Sequence, residues 1–326
     1  MDLALPRVAD QFAAAADKAV SGAGGVDLAR RAEADPAIRA TQVKPILDAL
    51  GVHDIDPTAD VESAAVAGEM CRVAGRYVLP FPIVGYLLAD PDHDMPAVLA
   101  SSPPLRCDHG DLFPRWRVYD LAGGVSVSTP SGQPVGSRLA PFVTELKSPG
   151  AATGTSVAGV AYLSTLWAFY LLGVAEHSLE LAIAHVKDRV QFGRPLAAMQ
   201  AVQFELADAT VAVDGLRELA HFTIWQGVSS EGVSREGVSR EGVSSQGATT
   251  LADGLAARLH ALDVLHPVLR LAQQLHGASG FCEEYDISVL VRHVQPAVRL
   301  PVDSEAMCEI VFNAIQTQGF TSLFSK

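Results

Sequence analysis

The sequence predicts a mainly α fold in three parts: an N-terminal helical domain over 1–95, a reduced β segment over 96–150 and a C-terminal four-helix bundle over 151–326. Three observations carry this expectation. Apolar residues recur at helical spacing on both sides of the middle. Residues 96–147 break into short runs of β-branched and aromatic residues separated by Gly, Pro and Asp. The stretches after residue 155 are long and closely joined, as antiparallel bundle helices are.

In the first part, Gln11 to Val20 is Ala-rich and amphipathic. Pro36 to Leu50 reads as a short helix with Pro at its start and Gly51 just past its end. Ala59 to Val78 places Val61, Ala65, Met70, Cys71 and Val73 on one broad stripe, and Pro80 and Pro82 stop it. In the middle, "RCDHGDLFPRWRVYDLAGGVSVSTP" predicts strands with turns at Gly123-Gly124 and Ser131-Gly132. So short a segment is little for an independent β domain.

In the last part, helices are expected near 157–190, 199–226, 249–276, 283–295 and 303–317. Between the second and third lies "GVSSEGVSREGVSREGVSSQ", Gly227 to Gln246. Its five-residue period matches neither helix nor strand, so 227–247 reads as a Gly/Ser-rich linker between helices. Val157 to Ala175 is uncharged and close to membrane-spanning length. Its pattern runs on through Glu176, His177 and Glu180, which favours the central helix of a soluble bundle over a membrane span.

The formal charge of -13 argues against a nucleic-acid binder with a basic face, and leaves room for small anionic ligands in a local pocket. Cys71, Cys107, Cys282 and Cys308 show no metal-type spacing and read as reduced thiols. The first twenty residues lack the basic and apolar regions of a signal peptide, so a cytoplasmic location is expected.

Two motifs remain. In "DRVQFGRPLAAMQAVQFELADA", Asp188 to Ala209, Gly193 and Pro195 are expected to end a helix and expose its last turn. Arg189 offers a guanidinium fork suited to a diphosphate, with the flat face of Phe192 beside it. Alone, Arg189 reads first as a solvated cation at a helix C-terminus, favoured by the dipole. In "QLHGASGFCEEYDISVLVRHV", Gln274 to Val294, Gly277 and Gly280 let backbone approach a ligand and form an anion-binding nest.

Together, in this order and with a helix pair between them, the motifs resemble the C-terminal helical domain of acyl-CoA dehydrogenases. The resemblance covers residues 155–295; this chain has Gly277-Ala278 where the family usually has two glycines. It implies an FAD-dependent dehydrogenation of an acyl-CoA thioester, with Arg189, Phe192, Gln200, Gln274 and Gly277 contacting the FAD of a neighbouring subunit. It also implies an electron-transferring flavoprotein as acceptor. The family's carboxylate base comes from one of two places, which fall here on Leu163 and near Pro301. Neither is acidic, and Asp303 and Glu305 are the nearest replacements; "DSEA" also reads as a helix N-cap with a following acid. The family's Thr/Ser-Glu-Pro-Gly turn, which touches the flavin, has no equivalent between Leu99 and Pro149.

These absences resemble the shorter subunit of actinobacterial α2β2 acyl-CoA dehydrogenases, in which a larger homologous subunit carries the base. Several such pairs act on steroid-derived acyl groups. Two alternatives stay open: a self-sufficient homomeric enzyme using Asp303 or Glu305, and a flavin-free helical scaffold.

Overall fold

In the computed structural model the long apolar stretch is the axis of the molecule. The structure describes residues 5–90, 92, 94–100, 104–132, 134–135, 137–231, 245–300 and 304–318. The N-terminal part holds α1 (Arg7–Gly22), α2 (Asp27–Ala34), α3 (Lys44–Ala49), α4 (Val61–Arg76) and the short α5 (Ile83–Tyr86). α1 buries Ala9, Ala13, Ala16 and Val20, one per turn, against α4. The helix expected over Pro36–Leu50 is shorter: a wide π turn, Arg39–Val43, precedes α3 and leaves Arg39 buried. Asp60 caps α4 by accepting from the Ser63 amide at 2.7 Å.

The middle part builds β1 (Ala97–Leu99), β2 (Arg106–Cys107), β3 (Trp116–Tyr119), β4 (Gly124–Ser128), β5 (Thr144–Glu145) and β6 (Gly154–Thr155). The main sheet has the order β1-β3-β4-β6, with β1 parallel to β3 and the other pairs antiparallel; β2 pairs with β5. Gly123, at φ 88°, turns the chain between β3 and β4 where the sequence placed a turn. The Asp120 carboxylate closes that turn by accepting from Ala122 N and Gly124 N at 2.9 and 2.8 Å.

α6 (Val157–Asp188) then runs through the centre. It is buried almost all round as far as Leu179, so its apolar length is that of a core helix. Leu163, Leu166, Phe169, Leu171 and Leu172 are almost wholly enclosed, and each contributes about 2 kcal/mol by burial. Glycines let its neighbours come close. A Cβ on Gly173 would lie 1.9 Å from Arg72 O, and one on Gly75 would lie 1.9 Å from Tyr170 O, so α4 and α6 cross in backbone contact. The Arg72–Glu176 ion pair, 2.9 Å, flanks the crossing.

After α6 come the short strands β7 (Val190–Gln191) and β8 (Arg194–Pro195), then α7 (Gln200–Glu231), α8 (Ser245–His276), α9 (Asp286–His293), α10 (Gln295–Arg299) and α11 (Ser304–Gln318). α8 packs on α6, α7 and α11, and α6 on α7, which makes the expected bundle. The helix expected over 283–295 is split: Pro296 has no N–H to continue α9, and the chain restarts as α10. The repeat departs from the linker expectation at both ends. α7 continues to Glu231 and α8 begins at Ser245, which leaves 232–244 outside the described residues.

Candidate functional site

The first motif does not end its helix where the sequence suggested. α6 stops at Asp188, and Arg189 is already extended, at φ -77° and ψ 115°. The next residues form a two-residue hairpin in which Val190 pairs with Pro195 and Gln191 with Arg194. Its two turn positions are Phe192 at φ 53° and Gly193 at φ 77°. Two positive φ values define the turn type whose twist suits a hairpin, and Asn-Gly usually fills it. Phenylalanine there is backbone strain of about 1–2 kcal/mol. The strain projects the ring outward, 89% exposed. Arg189 is exposed beside it, and its backbone carbonyl accepts from Leu196 N at 2.9 Å.

The second motif comes to the same place. α8 ends at His276, and Gly277 takes the left-handed conformation at φ 61°, with nothing within 4 Å of where a Cβ would be. His185, one turn before Arg189, stacks on His276 with ring centroids 4.2 Å apart. That stack ties the last turn of α6 to the last turn of α8. Burial, the adjacent His276 and the charge of Arg189 together push the His185 imidazole pKa down. Phe281 and Tyr285 add exposed rings to this end of the bundle. Gln274 and Gln200 are exposed, and Gln274 lines a groove between α7 and α8. All five sequence-assigned contact residues are therefore solvent-facing, on the termini and connections of α6, α7 and α8.

The candidate bases fare differently. Leu163 is 1% exposed within α6. Pro301 and Asp303 lie outside the described residues. Glu305 is exposed in the first turn of α11, where an acidic side chain suits the helix dipole.

A second feature was not foreseen. Between α5, β1, β2, α6 and α10 lies a cavity of about 50 Å³. Phe81, Trp116, Trp167 and Tyr170 wall it, with Leu300 on the α10 side, and Asp108 is the carboxylate that lines it. Asp108 accepts from the His109 amide at 3.1 Å, and burial pushes its pKa up to about 7. His109 sits at φ 56°, its ring stacked 4.9 Å from Phe142. Arg39 lies over the same Phe142 and is held by Asp111 at 2.9 Å. Burial, with the charge of Arg39, keeps the His109 imidazole neutral.

Behind the cavity wall, Arg258 of α8 is 1% exposed. It donates from Nη2 to Leu300 O at 3.0 Å and lies over the Trp167 ring, but its Nε and Nη1 have no partner among the described residues. Burial without a counter-ion pushes its pKa down to about 10. The sequence did carry this signal. Arg258 stands on the buried stripe Leu251, Leu255, Leu262, Leu265, Leu269 of α8. Nothing in "RCDHGDLF" marked Asp108 as half-buried or His109 as enclosed. Among the described residues no group of His, Cys, Asp and Glu is arranged to hold a metal ion.

Residues 163–316 match the family described as acyl-CoA dehydrogenase, C-terminal domain. This stretch is such a domain, and the chain as a whole has the acyl-CoA dehydrogenase fold. Acyl-CoA dehydrogenase IpdE2 of Mycolicibacterium smegmatis is 30% identical over 40% of this chain and 34% of its own, so the match spans about a third of that relative. The ChsE4-ChsE5 complex from Mycobacterium tuberculosis contains a chain of 15% identity that covers 97% of this chain and 99% of its own, with TM-score 0.73. A chain of the Tcur3481-Tcur3483 steroid acyl-CoA dehydrogenase is 17% identical over 95% of this chain and 98% of its own, with TM-score 0.71.

Proposed function

We infer that this chain is the shorter subunit of an α2β2 acyl-CoA dehydrogenase and completes the FAD site of a larger, homologous partner. One contrast carries the reading. The contact residues face outward, whereas the internal cavity of about 50 Å³ is far below the roughly 300–1,000 Å³ of a pocket for a cofactor or drug-sized ligand. The cavity lies one turn from Leu163 and beside Leu300, where the resemblance puts the reacting centre. An isoalloxazine ring does not fit there.

The residues at the bundle end do fit the edge of such a cofactor. Arg189 has no carboxylate partner among the described residues and is free to clamp a diphosphate. The Phe192 ring would cover an apolar ring edge, Gly277 would admit backbone N–H groups close to phosphate oxygen, and Gln200 and Gln274 would offer hydrogen bonds to it. Bound flavin supplies the acceptor for the substrate's β-hydride. With Leu163 apolar, the carboxylate that takes the α-proton belongs to the partner in this reading. A steroid-derived acyl group, an electron-transferring flavoprotein as acceptor and a cytoplasmic setting follow by analogy with the family.

The test is native mass spectrometry of the protein purified gently from its own cells. Two copies with two larger relatives and two FAD are expected, with Arg189→Ala lowering the FAD content. A homotetramer with four FAD overturns the reading and returns Asp303 and Glu305 as bases. A flavin-free assembly leaves a scaffold.

A further inference from the structure

The cavity beside α6 is too small for a flavin, but it is built like a site. Four aromatic rings, those of Phe81, Trp116, Trp167 and Tyr170, wall a space of about 50 Å³. At about 10–15 Å³ per water-sized group, that is room for about three to five such groups. Asp108 faces it and keeps 25% of its side-chain surface accessible, which gives a small solute a route to the carboxylate.

The charges around Asp108 decide what fits. Arg106 also lines the cavity, with its guanidinium paired to Glu145 at 3.1 Å, and Arg258, which lies over the Trp167 ring, does not line it. Arg39, across the His109 ring, is committed to Asp111. His109 is neutral, and the Cys107 thiol, which donates to Asp108 O at 3.2 Å, is held protonated by burial. Tyr170 on α6 stays a phenol, because burial raises its pKa. The carboxylate is left with one backbone N–H and one neutral imidazole for company. An anion is repelled there, and a purely apolar ligand leaves the carboxylate buried and unpaired. A cation carrying an N–H satisfies it, and the surrounding aromatic side chains supply apolar walls for its methyl or methylene groups.

The backbone supports this reading. His109 holds a left-handed conformation that a non-glycine residue rarely adopts, and it is pinned by Phe142. Strain of this kind persists where the surroundings over-determine it, and it aims the Asp108–His109 pair at the cavity wall.

We propose that this cavity is a binding site for a small organic ammonium ion, held by the Asp108 carboxylate within the aromatic walls of Trp116, Trp167 and Tyr170. The site belongs to this subunit's own interior, so it stands whether or not the chain completes a partner's FAD site.

Saturation-transfer NMR with trimethylammonium chloride, on the protein isolated with any natural partner, tests it. Saturable transfer to the methyl protons is expected below about 10 mM at pH 8. Because ionised Asp108 is the binding form and its pKa lies near 7, affinity is expected to weaken about tenfold at pH 6. Asp108→Asn, whose amide oxygen still accepts from the His109 amide, should abolish the signal; Asp108→Ser checks this with a second side chain. Neutral tert-butanol, of similar size, should give none. No saturable transfer from the cation, equal transfer in both variants, or equal transfer from tert-butanol overturns the proposal.

Discussion

Two regions of the molecule, the end of the helical bundle and the interior beside α5, are built in opposite ways. At the bundle end, Phe192 is held in strained backbone to project into solvent beside Arg189. Beside α5 and the sheet, aromatic side chains close the space down to about 50 Å³. The first region expends stability to present groups outward, and the second gains stability by filling itself. A self-contained enzyme would need the reverse in its interior. The contrast fits the proposed role of a subunit whose contacts matter to a neighbour more than its own cavity does.

The largest expected effect strikes the axis that both regions share. Gly173→Ala puts a methyl 1.9 Å from Arg72 O, which neither helix can yield without parting. Thermal unfolding should show a loss of about 3 kcal/mol or more. A loss under about 1 kcal/mol would mean that α4 and α6 slide easily, and the rigid interior would not be an inherent property.

Next is Arg258, the unpaired cation behind the cavity. Replacing a buried charge that has no ionic partner among the described residues with an apolar side chain of similar length removes a desolvation penalty. Arg258→Met is therefore expected to raise stability by about 1–3 kcal/mol in chemical denaturation. If stability falls instead, an anion pairs with Arg258 and the interior is less self-filled than the contrast requires.

A pH series sharpens the same point. The folded-state pKa of Asp108 is about 7, above the ordinary carboxylate range, so the folded protein holds a proton that the unfolded chain has lost. Stability from this group is full below about pH 4 and declines as pH rises to about 7. Asp253, raised to about 6 by burial, has the same sign. Asp108→Asn should flatten part of that decline and leave the Asp253 part. A slope unchanged by the substitution would place Asp108 in bulk-like solvent.

Sequence alone delivered the outward region far better than the filled one. The order of helices, the bundle and the β segment were legible, because periodicity is a local signal, and the two motifs pointed to residues that the structure leaves exposed at the bundle end. The hairpin at Phe192 was not, since Gly and Pro there fit a helix stop equally well, and only strand pairing distinguishes the two. The cavity was illegible for a different reason. Asp108, Trp167 and Leu300 meet only through tertiary packing, and no spacing in the chain encodes that meeting. Arg258 lay between, a charge on an apolar stripe, visible but without a partner to give it meaning.

The smallest expected effect is the most discriminating. Phe192→Gly removes the strain of a ring-bearing residue at φ 53° and touches no packed contact, because the ring is 89% exposed. The stability of the unassembled chain is expected to rise by about 1 kcal/mol. If the outward region exists to meet a neighbour's cofactor, the same substitution should lower the FAD retained by the purified complex, as Arg189→Ala should. Stability and cofactor content would then move in opposite directions from a single side chain. A rise in stability with cofactor content untouched would leave the Phe192 conformation as strain without a ligand to account for it, and the outward region would lose its claim to function.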